Sequence, residues 1–346
     1  MEKEPLFGKT LEEINQIVKS VGMPQFTGKQ IADWLYKKRV KTIQEMSNIS
    51  QKSRDLLDEK YTIGLKEPIK VDESVDGTKK YLFNTDKNQF IEAAYIPEVD
   101  RKTLCVSSQS GCKMGCLFCM TGKQGFQSNL TANEILNQMV SIPEGEEVSN
   151  LVYMGMGEPM DNIEEVLKSL SILTSEWGFA WSPRRINVST IGVIPAMQRF
   201  IKESEAHLAI SLHSPFNEER KRLMPIESVY PANEVVAALK DFDFGRQRRI
   251  SFEYIMFKDV NDSDEHIKGL LKLLNGVKCR INLIHFHPIP DSPLRGSDFK
   301  RMEFFKTRLT EKGIQTTIRR SRGEDIFAAC GMLSTKEMVK KGESDF

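Results

Sequence analysis

The stretch GCKMGCLFCMTGKQG, residues 111–125, carries three cysteines on one short segment: Cys112, Cys116 and Cys119. Four glycines lie among them, and glycine adopts the positive φ angles that a tightly wrapped loop requires. Three thiols are one more than a disulfide uses and one fewer than a closed structural zinc site uses. The stretch therefore predicts a loop that holds a metal or redox centre with an incomplete set of protein ligands.

The chain around this stretch alternates strand-like and helix-like segments, which predicts a parallel sheet. The strand-like runs are KTLCVSS, NLVYMG, RINVST, HLAISLH, RISFEYIMF, RINLIHF and IQTTIR. The polar motifs GMGEP, STIG, SLHSP and HPIP follow four of these runs. Because the ends of barrel strands converge on one mouth, these motifs favour a full or partial barrel over a doubly wound sheet. We predict an α/β barrel domain over residues 101–335.

Two smaller segments precede the barrel. Apolar residues recur at helical spacing in TLEEINQIVKSVG, TGKQIADWLYKKRV and SNISQKSRDLLDEKY, which predicts an N-terminal helical domain over residues 1–62. KKYLFN and QFIEAAYIP alternate like strands and predict a β-hairpin connector over residues 63–100. Residues 336–346 are predicted to be a C-terminal tail. Capping boxes are expected at Thr27–Gln30 and Thr131–Glu134, and Asp161 is expected to cap the helix in DNIEEVLKSLSIL.

Composition and charge are ordinary for a globular protein, with 40% hydrophobic residues, 28% charged residues and a net charge of +1. Any contact with nucleic acid therefore depends on local basic clusters. Each cluster is either a solvated face or a contact to nucleic-acid phosphates. The clusters are Lys37, Lys38, Arg39 and Lys41; Arg184 and Arg185; Arg246, Arg248 and Arg249; and Arg319, Arg320 and Arg322.

The sequence also predicts where the protein works. Its first residues, MEKEPLFGK, are acidic and lack the apolar region of a secretory signal. We find no apolar run long enough to span a bilayer. Six cysteines, three of them closely spaced, fit a reducing compartment better than an extracellular disulfide framework. We expect a cytoplasmic protein without a membrane contact, and nothing in the sequence indicates a stable protein partner.

The kind of centre that the three cysteines form is open to four readings: zinc, a redox dithiol, an iron–sulfur cluster and inert packed thiols. Zinc needs a second Cys-x-x-Cys knuckle, and a dithiol leaves one cysteine unused. A [4Fe–4S] cluster takes thiolate ligands, and three of them leave one iron open to bind a substrate. The residues therefore favour the cluster.

The spacing Cys-x-x-x-Cys-x-x-Cys, with Phe118 before the last cysteine, resembles the radical S-adenosylmethionine superfamily. The resemblance implies a partial barrel of six βα units, one [4Fe–4S] cluster on the three cysteines, and S-adenosylmethionine bound at the open iron. Each of the other motifs also has a purely structural interpretation. GMGEP is then a strand-to-helix turn, and the polar groups of the remaining motifs are buried side chains that only satisfy backbone hydrogen bonds. The cofactor contacts that the resemblance implies are Gly157, Glu158, Ser189, Ser211, Leu212, His213 and His287.

A narrower resemblance covers nearly the whole chain. The segments FTGKQIADWLYKK, TLCVSSQSGCKMGCLFC, GMGEP, SPRRINVSTIG, SLHSP and RGEDIFAACG resemble the RlmN family, which methylates C2 of an adenine in 23S ribosomal RNA. In that family one S-adenosylmethionine methylates a carrier cysteine. A second S-adenosylmethionine generates the radical that abstracts hydrogen from this S-methyl group. The resemblance implies that Cys330 is the carrier, that Cys105 releases the product through a transient disulfide, and that Glu92 accepts a proton. An external reductant is implied, and Cys279 is expected to be a core residue.

Three alternatives remain open. His287, Ser214 and the segment GML at residues 331–333 depart from many C2-specific relatives. Ser214, with the segments SPRR and TIG, leans toward the related Cfr family, which methylates C8 of the same adenine. We expect C2, with transfer RNA as a further substrate in some relatives. A radical enzyme that does not methylate would need no carrier thiol. A zinc-bearing RNA-binding module would contain no cluster.

Overall fold

The computed structural model describes residues 3–244 and 250–335. The predicted basic cluster at Arg246, Arg248 and Arg249, and the predicted tail at residues 336–346, lie outside the described residues. The helices are α1 (Leu11–Ser20), α2 (Thr27–Tyr36), α3 (Gln51–Lys60), α4 (Met120–Gln124), α5 (Ala132–Val140), α6 (Ile163–Thr174), α7 (Ile194–Glu203), α8 (Asn217–Leu223), α9 (Ala232–Lys240), α10 (Asp264–Leu273) and α11 (Phe299–Glu311).

The strands are β1 (Glu4–Pro5), β2 (Tyr61–Thr62), β3 (Lys70–Glu73), β4 (Lys79–Asn84), β5 (Phe90–Pro97), β6 (Lys102–Cys105), β7 (Gln109–Gly111), β8 (Phe126–Asn129), β9 (Asn150–Tyr153), β10 (Ile186–Thr190), β11 (His207–Ser211), β12 (Ile250–Met256), β13 (Arg280–His285) and β14 (Gln315–Arg319). Within the described residues, ten of them form one sheet in the order β14-β13-β12-β11-β10-β9-β6-β5-β4-β3.

The parallel part of this sheet is the predicted partial barrel. Parallel pairing joins β6 to β9 and then runs from β9 to β14 in chain order, and α-helices lie in the connections. The order never reverses, as it would in a doubly wound sheet. All residues of β12 are buried, because helices cover the outer face while the inner face lines the barrel. The α/β fold with a partial barrel is confirmed, and β14 adds a parallel edge strand beyond six βα units.

The connector has one strand more than the predicted hairpin. β3, β4 and β5 form an antiparallel unit, and β5 pairs with β6 of the barrel, so the connector extends the barrel sheet instead of standing beside it. The strand that the sequence missed, β3, has the sequence KVDE and is mostly exposed. It lacks the apolar alternation by which strands are recognised.

The N-terminal helices pack on the barrel through aromatic side chains. Tyr36 of α2 contacts Phe179 and Phe7, each with 5.5 Å between ring centroids. The amide of Asn133 in α5 donates to the carbonyls of Phe7 and Gly64. One continuous hydrophobic core therefore joins residues of the helical segment to those of the barrel, and the boundary at residue 62 stays a prediction.

The helix starts differ from the predictions at two places. Thr131 and Glu134 form the predicted capping box. Thr27, however, is the first residue of α2 and not its N-cap, and its side chain is buried. The turn before α2 already satisfies its N–H, which donates to the carbonyl of Pro24. Asp161 lies in a short 3₁₀ turn and pairs with Lys113 at 2.6 Å, so it does not take the capping role predicted for it. No helix in the described parts of the chain is both long and apolar enough to cross a lipid bilayer.

Candidate active site

The loop after β6 folds back on itself and brings the three cysteines to one place. Gly111 and Gly125 have φ angles of 71° and 83°, and a Cβ on Gly111 would overlap the carbonyl oxygen of Gly125. The N–H of Cys112 bonds that same carbonyl at 3.0 Å. Cys112, Cys116 and Cys119 consequently line one cavity of about 150 Å³, which we call the cofactor cavity.

The three thiols fit a cluster better than a single metal ion. Burial raises the pKa of Cys112 to about 12 and also raises those of Cys116 and Cys119, so the thiolates need positive charge from bound iron. Within residues 3–244 and 250–335, no group of three His, Cys, Asp or Glu side chains is arranged around one ion. Thiolates of a cubane bind separate irons, so the two observations agree.

The carboxylate of Glu158 lies on the wall of the cofactor cavity in a fixed orientation. One oxygen accepts a hydrogen bond of 3.0 Å from the N–H of Met160, and the other accepts one of 3.0 Å from Ile191. Burial raises the pKa of Glu158 to about 7. Gly157 beside it has a φ of 97°, and a Cβ there would lie 2.5 Å from Cβ of Gln109. In the GMGEP motif, Gly157 thus lets the backbone approach Gln109 closely, and two backbone N–H groups fix the carboxyl group of Glu158.

The remaining predicted cofactor contacts divide between the cavity and the core. Ser189, Ser211 and His213 line the cofactor cavity, whereas the side chain of Leu212 belongs to the hydrophobic core. The Nδ1 of His213 accepts a hydrogen bond of 3.0 Å from the N–H of Ile255. Burial lowers the pKa of His213 to about 3, so its imidazole is neutral near neutral pH. A neutral ring can accept or donate a hydrogen bond without repelling a cationic ligand.

Sequence reasoning missed Arg220, which holds these strand ends in place. Its guanidinium donates to the carbonyls of Ile191, Ser211 and Leu212 at 2.8, 3.1 and 3.0 Å. It also forms a buried ion pair with Glu227. The segment NEERKRL reads as a solvated helix face, and only its place between two strand ends shows that one of its arginines is buried.

A second cavity of about 360 Å³, which we call the thiol cavity, contains both outlying cysteines that the sequence singled out. Cys105 ends β6 and is buried, and Cys330 lies on the segment after β14 and is exposed. Burial raises the pKa of Cys105 to about 12. Five residues line the cofactor cavity and the thiol cavity alike: Met154, Ile284, Arg319, Cys330 and Leu333. Cys330 thus lies on the wall between the two cavities, while Cys105 opens onto the thiol cavity.

Two predicted site residues do not line the cofactor cavity. His287 lines the thiol cavity, with Nε2 2.5 Å from Oγ of Ser321 and Nδ1 2.8 Å from a carboxylate oxygen of Glu324. Glu92 lines a separate cavity of about 490 Å³, where it pairs with Lys80 at 3.0 Å and accepts from the N–H of Ser334 at 2.9 Å. Of the predicted cofactor contacts, His287 thus lies in the thiol cavity and apart from those that line the cofactor cavity. The proton-accepting role of Glu92 stays a prediction.

The basic clusters are partly engaged within the protein. Lys37 and Lys38 pair with Asp33, and Lys38 lies 3.6 Å from the ring centroid of Trp34. Arg185 donates to the carbonyl of Ser149 at 2.6 Å. These contacts leave the amines half exposed, so they are compatible with a phosphate contact but do not require one.

Comparisons with known proteins match nearly the whole length of the chain. Residues 106–272 match the radical SAM superfamily, and residues 5–63 match the ribosomal RNA large subunit methyltransferase N-terminal domain. A probable dual-specificity RNA methyltransferase RlmN of Phocaeicola vulgatus is 57% identical over 98% of both chains. The chain belongs to the RlmN family of radical S-adenosylmethionine methyltransferases.

A further RlmN relative and a solved structure are also similar to this chain over most of its length. The dual-specificity RNA methyltransferase RlmN of Syntrophus aciditrophicus is 40% identical over 96% of this chain and 97% of its own. A radical SAM methyltransferase from Sphaerobacter thermophilus is 37% identical, covers 95% of this chain and 99% of its own, and superposes with a TM-score of 0.89. The cofactors of this RlmN-family chain are a [4Fe–4S] cluster and S-adenosylmethionine.

Proposed function

We propose that this chain methylates C2 of an adenine in 23S ribosomal RNA, with an adenine of transfer RNA as a second substrate. The names of its relatives as dual-specificity RNA methyltransferases support RNA as the substrate class. The observation that carries the proposal is the place of Cys330 on the wall between the cofactor cavity and the thiol cavity. A methyl carrier must meet its donor and its acceptor, and Cys330 borders a separate space for each.

In this proposal Cys112, Cys116 and Cys119 hold the cluster. Glu158, Ser189, Ser211 and His213 hold S-adenosylmethionine, Gly157 and Leu212 contribute backbone, and the bound pair supplies methyl groups and a carbon-centred radical. Because both carboxylate oxygens of Glu158 are already anchored by backbone N–H groups, Glu158 presents a fixed surface to an ammonium group. We assign His287 to the RNA base, because it lines the thiol cavity.

Cys105 is proposed to release the product by attacking the sulfur of Cys330. Cys105 and Cys330 line the same cavity, and the thiolate form of Cys105 is the one that attacks. Glu92 is proposed to accept the C2 proton once Ser334 leaves its carboxylate, because a base must come within hydrogen-bond distance of the proton it takes. Its raised pKa, caused by burial, suits a proton acceptor.

RNA is proposed to enter at the thiol cavity, where Arg101, Arg320 and Arg322 line the wall. Guanidinium groups pair with phosphate through two parallel hydrogen bonds. Enzymes that modify a base take it out of the stack, and the thiol cavity is the space we assign to it. The helical segment with Lys37 and Lys38 is proposed to contact RNA farther from the reacting base.

The test uses the anaerobically reconstituted protein with 23S ribosomal RNA, S-adenosylmethionine and a one-electron reductant, and it locates the new methyl group by mass spectrometry. The proposal expects 2-methyladenine. Cys330→Ala should abolish methylation, and Cys105→Ala should accumulate a covalent protein–RNA adduct. Cys279→Ala is the matched control and should retain full turnover. The appearance of 8-methyladenine, or full activity of Cys330→Ala, would contradict the proposal.

A further inference from the structure

Arg319 lies where three cavities meet. It ends β14 and lines the cofactor cavity, the thiol cavity and a third cavity of about 340 Å³. This third cavity lies at the other end of the barrel strands, near Asn150 and Arg280. Within the described residues, Met154 is the other side chain that borders all three. Arg319 therefore borders both the cofactor cavity and the thiol cavity.

The guanidinium of Arg319 is held from one side. Its Nη1 lies 3.4 Å from a carboxylate oxygen of Glu253 and 3.4 Å from the sulfur of Met154. Glu253 is itself buried and accepts a hydrogen bond of 2.7 Å from the amide of Asn282. About a third of the Arg319 side chain is exposed, at 32%. One end of the guanidinium is thus anchored while part of the side chain remains open to the cavities.

Cys105 lies in surroundings that disfavour a thiolate. Its side chain packs with Ala94 and Ala328, and burial raises its pKa to about 12. The neighbouring thiol of Cys330 raises the pKa further, whereas the charge of Arg319 and a backbone hydrogen bond from Met154 lower it. The charged and titratable groups that line the thiol cavity are Glu98, Arg101, Cys105, His285, His287, Arg319, Arg320, Arg322 and Cys330.

Two other arginines that line the thiol cavity lie near acidic side chains. Arg101 pairs with Glu98 at 2.8 Å, and Arg322 approaches Asp76 at 3.9 Å. His287 pairs with Glu324. Arg319 is the cation whose field acts on both Cys105 and Cys330. Arg319 also lines the cofactor cavity together with Cys330, whereas the arginines that we assign to RNA phosphates do not. This position distinguishes Arg319 from them.

We propose that Arg319 is a positioning residue that places its guanidinium beside Cys105 and stabilises the thiolate that releases the methylated RNA. This inference rests on the proposed function. In the step that it assists, a bond forms between the sulfurs of Cys105 and Cys330, and the bond between the Cys330 sulfur and the RNA-bound carbon breaks. The electron pair of that bond goes to carbon, which takes up a proton and becomes the methyl group. The disulfide is afterwards reduced by an external dithiol.

The first test measures thiol reactivity and needs no RNA. The reconstituted holoenzyme is treated with iodoacetamide across a range of pH, and the alkylation rate of each cysteine is read by peptide mass spectrometry. Arg319→Met, which keeps the length of the side chain and removes its charge, should move the Cys105 profile to higher pH. For each pH unit that the profile moves, alkylation of Cys105 at a given pH should slow about tenfold. Arg319→Lys should restore part of the rate.

Cys279 provides the internal control for this experiment. Burial raises the pKa of Cys279 to about 12 as well, but Cys279 lies at the start of the β13 region, away from the thiol cavity. Its profile should be the same in all variants. The proposal is overturned if Arg319→Met leaves the Cys105 profile unchanged, or if it moves the Cys105 and Cys279 profiles equally, which would indicate general loosening.

The second test separates release from RNA binding. With RNA present, Arg319→Met should still form the covalent adduct but release it slowly, so kcat falls while KM for RNA stays within twofold. A raised KM with unchanged kcat would instead make Arg319 a phosphate ligand and would overturn the inference. If the wild-type enzyme fails to methylate RNA, the proposed function fails, and the alkylation profiles still decide whether Arg319 acts on Cys105.

Discussion

The hydroxyl of Thr121 donates a hydrogen bond of 2.7 Å to the carbonyl oxygen of Leu333. Thr121 lies two residues after the last cysteine of the cluster loop, and Leu333 lies three residues after Cys330. Further hydrogen bonds run between the same two segments, among them one of 2.8 Å from the N–H of Met120 to the carbonyl of Gly331. The segment that carries Cys330 is therefore docked on the loop that carries the cluster ligands.

Gln124 should control how firmly this segment is docked. Its carbonyl oxygen accepts from the N–H of Thr335 at 2.9 Å, and its amide donates to the hydroxyl of Thr335 at 2.8 Å. Because each hydrogen bond contributes about 1 kcal/mol, Gln124→Ala should raise the hydrogen–deuterium exchange rate of the backbone amides around Cys330 by roughly tenfold or more. Gln44→Ala, which removes exposed side-chain hydrogen bonds in the N-terminal segment, is the control. Equal rates in the two variants would contradict the docking role.

Gly157→Ala should destabilise the protein and weaken cofactor binding. The φ of 97° strains any other residue, and the added Cβ would lie 2.5 Å from Cβ of Gln109. Gly276→Ala is the matched control, because its φ is also positive, at 81°, but nothing lies within 4 Å of the added atom. Strain at such a φ costs about 1–3 kcal/mol, and the overlap at Gly157 adds to it. Urea unfolding should show a clearly larger loss for Gly157→Ala than for Gly276→Ala.

Arg220→Met should cost about 3–5 kcal/mol of unfolding free energy, because it leaves the buried carboxylate of Glu227 without its cation. The double variant Arg220→Met with Glu227→Gln should be more stable than the single variant. Arg308→Met, which removes an exposed pair with Glu311, should cost less than about 1 kcal/mol. S-adenosylmethionine affinity should fall in the Arg220 variants alone, since Arg220 holds the strand ends. Loss of affinity in Arg308→Met would argue against that role.

His213 should make the protein less stable in acid. Its pKa falls from 6.5 to about 3 on folding, so the unfolded chain binds the proton more tightly, and stability falls as pH drops from 6.5 toward 3. Between pH 6.5 and 5 the loss is about 2 kcal/mol. His213→Asn keeps an acceptor near the Nδ1 position and tolerates the φ of 58°, so it should remove this part of the slope. Urea unfolding at pH 8, where His213 is neutral in both states, gives the baseline difference between the two proteins.

Local sequence patterns predicted the features that depend on spacing. The βα alternation, the cysteine loop and the capping box at Thr131 follow from periodicity and residue type within a few positions. The caps predicted at Thr27 and Asp161 were wrong for two reasons. The N–H of Thr27 bonds the carbonyl of Pro24 in the turn before α2, and the carboxylate of Asp161 pairs with Lys113. The exposed strand β3 was missed because charged residues carry no apolar period.

Residue spacing within short stretches was enough to predict the barrel, the three-cysteine loop and, through resemblance, the family. Long-range packing was needed to show that Cys330 lies on a wall common to two cavities, that Glu92 faces Lys80 and not the thiols, and that Arg319 and Arg220 reach the site. Periodicity is a local property that nearby residues encode. Contacts between residues far apart in the chain depend on strand register and packing, which no short stretch of sequence specifies.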